Sequence, residues 1–127
     1  MKVRTNVQRS SADLNIPLWA LQILTAVAFL MAGYGKLSGQ PEMVEQFAKI
    51  GFGQWFRYVV GSIEVSAAIA LLIPSAAVFG ALLLIPTMIG AIATNLFLGQ
   101  SVIPPLVLLL VASAVAWVRR NELPAIG

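Results

Sequence analysis

Between Glu64 and Arg119 the chain runs for 54 residues, 65–118, without one charged side chain. A helix needs about 20 apolar residues to cross the ~30 Å hydrocarbon layer of a bilayer. The run therefore holds two complete crossings and the end of an earlier one. Helix breakers fall where the turns would have to be. Pro74-Ser75 is the first, and Gly99-Gln100-Ser101 is the second, with Pro104-Pro105 just behind it. Adjacent prolines suit a helix start, where no amide donor is missed.

Composition points the same way. Of 127 residues, 59% are hydrophobic and 10% charged, against about 25% charged in soluble domains. A soluble fold this small would lack the polar side chains to cover itself, so lipid is the expected solvent. The length suits one domain. There is no Cys and no His, which removes thiolate nucleophiles, thiolate-held iron–sulfur clusters, the commonest general base and the usual haem ligand. No built-in cofactor and no metal site are expected. Nor is a catalytic residue, and an accessory subunit is a better description than a self-sufficient enzyme. The net charge of +3 reads as basic flanks of membrane helices, not as a nucleic-acid surface.

The expected fold is an all-α integral membrane four-helix bundle, up-down-up-down. Helices are predicted over 16–34, 56–73, 76–98 and 104–118, since in lipid every backbone polar group must be bonded within its own segment. Pro17 would lie in the first turn, and Pro86 would kink the third helix. Residues 1–15 form a polar basic N-terminal tail, 16–120 the four-helix domain and 121–127 a short C-terminal tail. A cleaved signal peptide fits poorly: the first apolar stretch is long, Asp13 precedes it, and no A-x-A site follows. In the one long loop, Pro41–Ile50 reads as a short amphipathic helix at the interface, with Met43, Phe47 and Ile50 at helical spacing. With four crossings both termini share one face. Lys2, Arg4, Arg9, Arg119 and Arg120 lie there, against Lys36, Lys49 and Arg57 opposite. The excess places both termini in the cytoplasm.

Ionisable side chains within membrane helices are rare, and a centrally placed charge costs about 2.5–3.5 kcal/mol on insertion scales. In this topology Lys36, at the end of the first helix, lies level with Glu64, two turns into the second. Asn95 and Thr94, near the end of the third, reach the same level, with Ala91 and Thr87 one and two turns further in. Thr25, Ala28, Ala32 and Lys36 would form a small, polar inner stripe on the first helix. Gly61, Ala68, Ser62 and Ser66 supply small residues near Glu64. Two readings follow. Lys36, Glu64, Asn95 and Thr94 form an outward-facing pocket for the polar head of a quinone or lipid, with Lys36 and Asn95 donating to a carbonyl and Glu64 exchanging a proton. Alternatively, Glu64 pairs with Lys36 only to close the bundle, or Lys36 snorkels to the interface. A small-solute or proton path is a third possibility.

The stretch Phe29-Leu30-Met31-Ala32-Gly33-Tyr34-Gly35-Lys36-Leu37 resembles the "aG-x-x-K-l" end of the first helix in DoxX-like membrane proteins. Phe47 and Gly51 follow in the loop as is common there, and Ile63-Glu64-Val65 resembles that family's second-helix glutamate. Residues 88–99, Pro104-Pro105 and Trp117-Val118-Arg119-Arg120 are similar to its third and fourth helices. The resemblance covers 19–120. It implies a four-helix protein of the bacterial cytoplasmic membrane, an auxiliary component of membrane redox metabolism. The family takes its name from a subunit associated with a thiosulfate:quinone oxidoreductase. Its other implications are a membrane-protein partner or a homo-oligomer, and a non-catalytic structural subunit is the competing role. Where the family often carries His in the third helix, this chain has Asn95, which cannot titrate.

Overall fold

A computed structural model describes residues 2–122, and the side chains of residues 15–121. All regular structure among them is helical. α1 (Lys2–Ser38), α2 (Pro41–Ile50), α3 (Gln54–Leu71), α4 (Ala77–Leu98) and α5 (Ile103–Val118) are followed by a single 3₁₀ turn, Arg120–Glu122. The helix ends fall where local chemistry dictates. Pro41 opens α2, and Pro104 and Pro105 sit in the first turn of α5. Gly51 and Gly99, at φ 87° and 71°, close α2 and α4 in the left-handed conformation that only glycine adopts freely.

Three of the expected long helices shift by two residues or fewer at each end. The first does not. α1 starts at Lys2, not at residue 16, and Pro17 lies inside it. A proline in a helix interior loses one backbone hydrogen bond but does not force a break when the rest of the ladder is intact. The side chains of Lys2, Arg4, Arg9 and Asp13, and most of the expected C-terminal tail, lie outside the described residues. α4 continues unbroken through Pro86.

Register follows from residue-to-residue contacts. Gln22 of α1 meets Leu71 at the end of α3, whereas Lys36 meets Glu64, so the two helices run antiparallel. The links 72–76 and 99–102 are too short for anything but antiparallel neighbours between α3 and α4 and between α4 and α5. Arg119, at the end of α5, reaches back to Asn15 and Gln22, which brings α5 against α1.

The core is built largely from alanine. Ala26, Ala67, Ala68, Ala81 and Ala112 are buried, and Phe29, Leu71, Leu84 and Val115 fill the spaces between them. Small residues let helix backbones approach closely where lipid, not water, is the alternative surrounding. A Cβ added at Gly33 would stand 2.9 Å from the Gly61 carbonyl oxygen, and one at Gly61 would stand 3.2 Å from the Gly33 carbonyl oxygen. The α1–α3 contact thus depends on two glycines facing each other.

The inward stripes differ from those expected. On α1 they are Gln22, Thr25, Ala26, Phe29 and Gly33, leading to half-buried Lys36, while Ala28 is exposed. On α3 they are Arg57, Gly61, Glu64, Ala67, Ala68 and Leu71, while Ser62 and Ser66 are exposed. A strict four-residue step drifts around a 3.6-residue helix, and only alternating steps of three and four stay on one face.

The outer surface is apolar. Ile16, Met31 and Phe97 are each 70% exposed or more, and such side chains occur on every long helix. Soluble monomers rarely expose continuous apolar surface of this kind. Two segments, Asn15–Ser38 and Ala77–Leu98, are long and apolar enough to cross a membrane by length and composition. α5 is apolar but has only 16 residues.

Candidate functional site

The end of α1 carries Lys36 in its last turn, where the helix dipole favours a cation. Alternating three- and four-residue steps on α3 bring Glu64 to face it. Lys36 Nζ lies 2.7 Å from Glu64 Oε1, with the two side chains 14% and 5% exposed. This is an internal ion pair. The other pair among the described residues, Lys49 and Glu45, is on the exposed face of α2.

Two helical turns from Glu64, buried Arg57 donates to the Lys36 carbonyl and, at 2.8 Å, to Gln54 Oε1, and its guanidinium covers the Tyr58 ring. It satisfies a carbonyl that the end of α1 leaves without a helical partner. The opposite end of the molecule repeats the device. Gln22, fully buried, donates to the Leu71 carbonyl at 3.0 Å, and Arg119 donates to Gln22 and to Asn15 and lies over the Trp19 ring. Sequence reasoning counted Arg57 and Arg119 as interfacial charges and did not single out Gln22. The signal was present: residues 57, 61, 64 and 22, 25, 29 fall on the same inner faces.

A cavity of about 580 Å³ lies between α3 and α4 and is roofed by α2. Lys36, Glu64, Thr94 and Asn95 all line it, so the structure brings the four expected residues to one space. Ala91 and Thr87 line it as well, together with Gln46 and Phe47 of α2. Phe47 and Phe52 lie with ring centroids 5.8 and 5.5 Å from that of Phe56, making one wall aromatic. Pockets that take small molecules typically measure roughly 300–1,000 Å³ and are mostly apolar with a few placed polar groups.

Polar groups in this cavity are not all available in the sense expected. The Asn95 amide nitrogen donates to the Ser101 carbonyl at 2.7 Å, tying the end of α4 to the link before α5. A carbonyl can only accept, so the nitrogen must face it and Oδ1 is left as an acceptor. Thr94 donates to the Gly90 carbonyl at 2.9 Å and Thr87 to the Leu83 carbonyl at 2.8 Å. No group of three or more potential metal ligands occurs among the described residues.

The DoxX-like family model matches residues 20–117, which is most of the chain. The protein belongs to the DoxX-like family. This DoxX-like chain, with its family's membrane association and its two crossing-length apolar helices, is a protein of a lipid environment. The matched region starts just ahead of Gln22 and ends just before Arg119, and it contains the ion pair and every residue lining the cavity. No curated protein and no solved structure matches the chain.

Proposed function

We propose that this DoxX-like chain is a membrane-inserted up-down-up-down four-helix protein. It holds the polar head of a membrane-soluble small molecule, a quinone or a lipid, at Lys36 and Glu64, with Asn95 and Thr94 at the same level. It serves as an auxiliary component of membrane redox metabolism. The redox assignment rests on the family resemblance. The ligand assignment rests on one observation: the internal ion pair opens onto an otherwise mainly apolar, partly aromatic cavity between α3 and α4.

Where the charges lie supports the reading that all four long helices insert. Arg57 and Glu64 lower the hydropathy of α3, but both point inward, so its outer face remains apolar. α5, at about 24 Å, is short for a crossing, a mismatch that local thinning of the bilayer accommodates at modest cost. The structure also sharpens the charge count behind orientation. Arg57 and Arg119 are engaged inside the protein, and Lys36 and Lys49 are paired with carboxylates. In the sequence Lys2, Arg4 and Arg9 precede the first apolar stretch and Arg120 follows the last, a distribution that favours cytoplasmic termini in a bacterial inner membrane. A reporter fused after Gly127 should be active as a cytoplasmic fusion and silent as a periplasmic one. The reverse pattern would overturn the orientation and move the ion pair to the inner leaflet.

Gly90 offers the test of ligand binding. It lines the cavity, and a Cβ there meets nothing within 4 Å. Gly90→Leu therefore adds a side chain into open space, and leucine is the better helix former by roughly 0.8–1 kcal/mol. The variant should be at least as stable as the parent, while a co-purified quinone or lipid falls below half its parental level by mass spectrometry. Parental protein that carries no small molecule from native membrane, yet recovers a partner protein, would replace this reading with that of a structural subunit.

A further inference from the structure

The polar inventory of the cavity is biased toward acceptors. Glu64 is a carboxylate. Asn95 has given one of its two amide hydrogens to Ser101, and Thr94 and Thr87 have each given their hydroxyl hydrogen to a carbonyl of their own helix. What Glu64, Thr94 and Thr87 can still offer a ligand are oxygen lone pairs, and Asn95 adds its Oδ1 and one remaining N–H. Against them stand the Lys36 ammonium, which already spends a contact on Glu64, and the Gln46 amide, which can donate or accept.

Charge narrows the ligand further. Lys36 and Glu64 cancel at 2.7 Å. An anionic head would meet the Glu64 carboxylate with no unpaired cation to offset it, because Arg57 is committed to the Lys36 carbonyl, Gln54 and Tyr58. A cationic head would meet the Lys36 ammonium. Neutral heads avoid both penalties. The aromatic wall of Phe47, Phe52 and Phe56 suits a ring lying edge-on or tilted against it.

Resting on the ligand-site reading above, we propose that the cavity selects a neutral, hydroxyl-bearing aromatic ring with an apolar tail, a quinol or phenol, over the corresponding carbonyl-bearing ring. The hydroxyl donates to the Glu64 carboxylate, and its oxygen accepts from Lys36. A quinone carbonyl can accept from Lys36 or from the remaining Asn95 N–H, but it has no hydrogen to give the Glu64 carboxylate. Hydrogen bonds to an ionised group are the stronger kind, and losing one corresponds to roughly ten- to hundred-fold in affinity.

The experiment uses the full-length protein purified in dodecyl maltoside, under anaerobic conditions, with blank micelles as reference. Three probes with the same decyl tail are titrated by calorimetry: a benzoquinol, its benzoquinone and its dimethyl ether. The quinol should bind ten- to hundred-fold more tightly than the quinone, and the ether should show no advantage over the quinone. A quinone that binds as tightly as the quinol, or an ether that does, overturns the donor selection and leaves the ligand site standing. If none of the three binds, both the selection and the ligand site fall.

Discussion

Lys36→Met should destabilise the protein by about 3–5 kcal/mol, the range found when one partner of a buried ion pair is removed and the other is left behind. The partner left is the Glu64 carboxylate, 5% exposed, with Lys36 the polar group in reach of it. Glu64→Gln should cost less, because the lysine stem is long enough to lift a lone ammonium toward the interface. Combining the two substitutions should recover part of the Lys36→Met loss, giving a coupling on the order of 1–3 kcal/mol. Equilibrium unfolding in mixed micelles measures all three variants. Strict additivity would mean that the two side chains do not interact in solution, and the cavity would lose its polar end. The coupling belongs to the packing of α1 on α3, and its functional consequence is that the same contact fixes the carboxylate at the cavity wall.

One substitution made at two positions of α4 should have opposite signs. At Gly80 a Cβ would stand 2.7 Å from the Ala67 carbonyl oxygen and 3.0 Å from the Leu71 amide nitrogen. Both are backbone atoms, so α3 and α4 would have to separate. Overpacking of this kind costs about 1–3 kcal/mol, which outweighs the gain in helix propensity. At Gly90 nothing lies within 4 Å, so only the propensity gain of roughly 0.8–1 kcal/mol acts. Gly80→Ala should therefore lower the unfolding midpoint in detergent and Gly90→Ala should raise it. Equal effects at both sites would contradict the close α3–α4 approach near the Leu71 end and the open space near the cavity.

Much of this architecture was legible from the sequence because helix formation in an apolar setting is local. Each backbone bond joins residues four apart, so the positions of Pro74, Gly99 and Pro104-Pro105 in an uncharged run bound the later helices closely, and the bounds of α2 were read outright. Pro17 misled because it is compatible with a helix start and also with an interior position. The common level of Lys36, Glu64 and Asn95 was likewise accessible, since depth follows from counting residues along antiparallel helices. Which face each helix turns inward was read less well. Ala28, Ser62 and Ser66 were assigned by size and polarity, yet all three are exposed, because the inner face follows the helical angle and not the residue class.

The helices, their breakers and the shared level of Lys36, Glu64 and Asn95 along them were readable residue by residue. How the polar groups are spent was not, because it depends on packing. Arg57 reaches a carbonyl 21 residues away, Gln22 one 49 residues away, and Arg119 side chains 97 and 104 residues away. One hydrogen of the Asn95 amide goes to the Ser101 carbonyl, six residues on, although Asn95 also lines the cavity. Helical hydrogen bonds are fixed by neighbours along the chain. A side chain's partner is fixed by whichever unsatisfied group packing brings within about 3 Å, and that depends on all the helices at once.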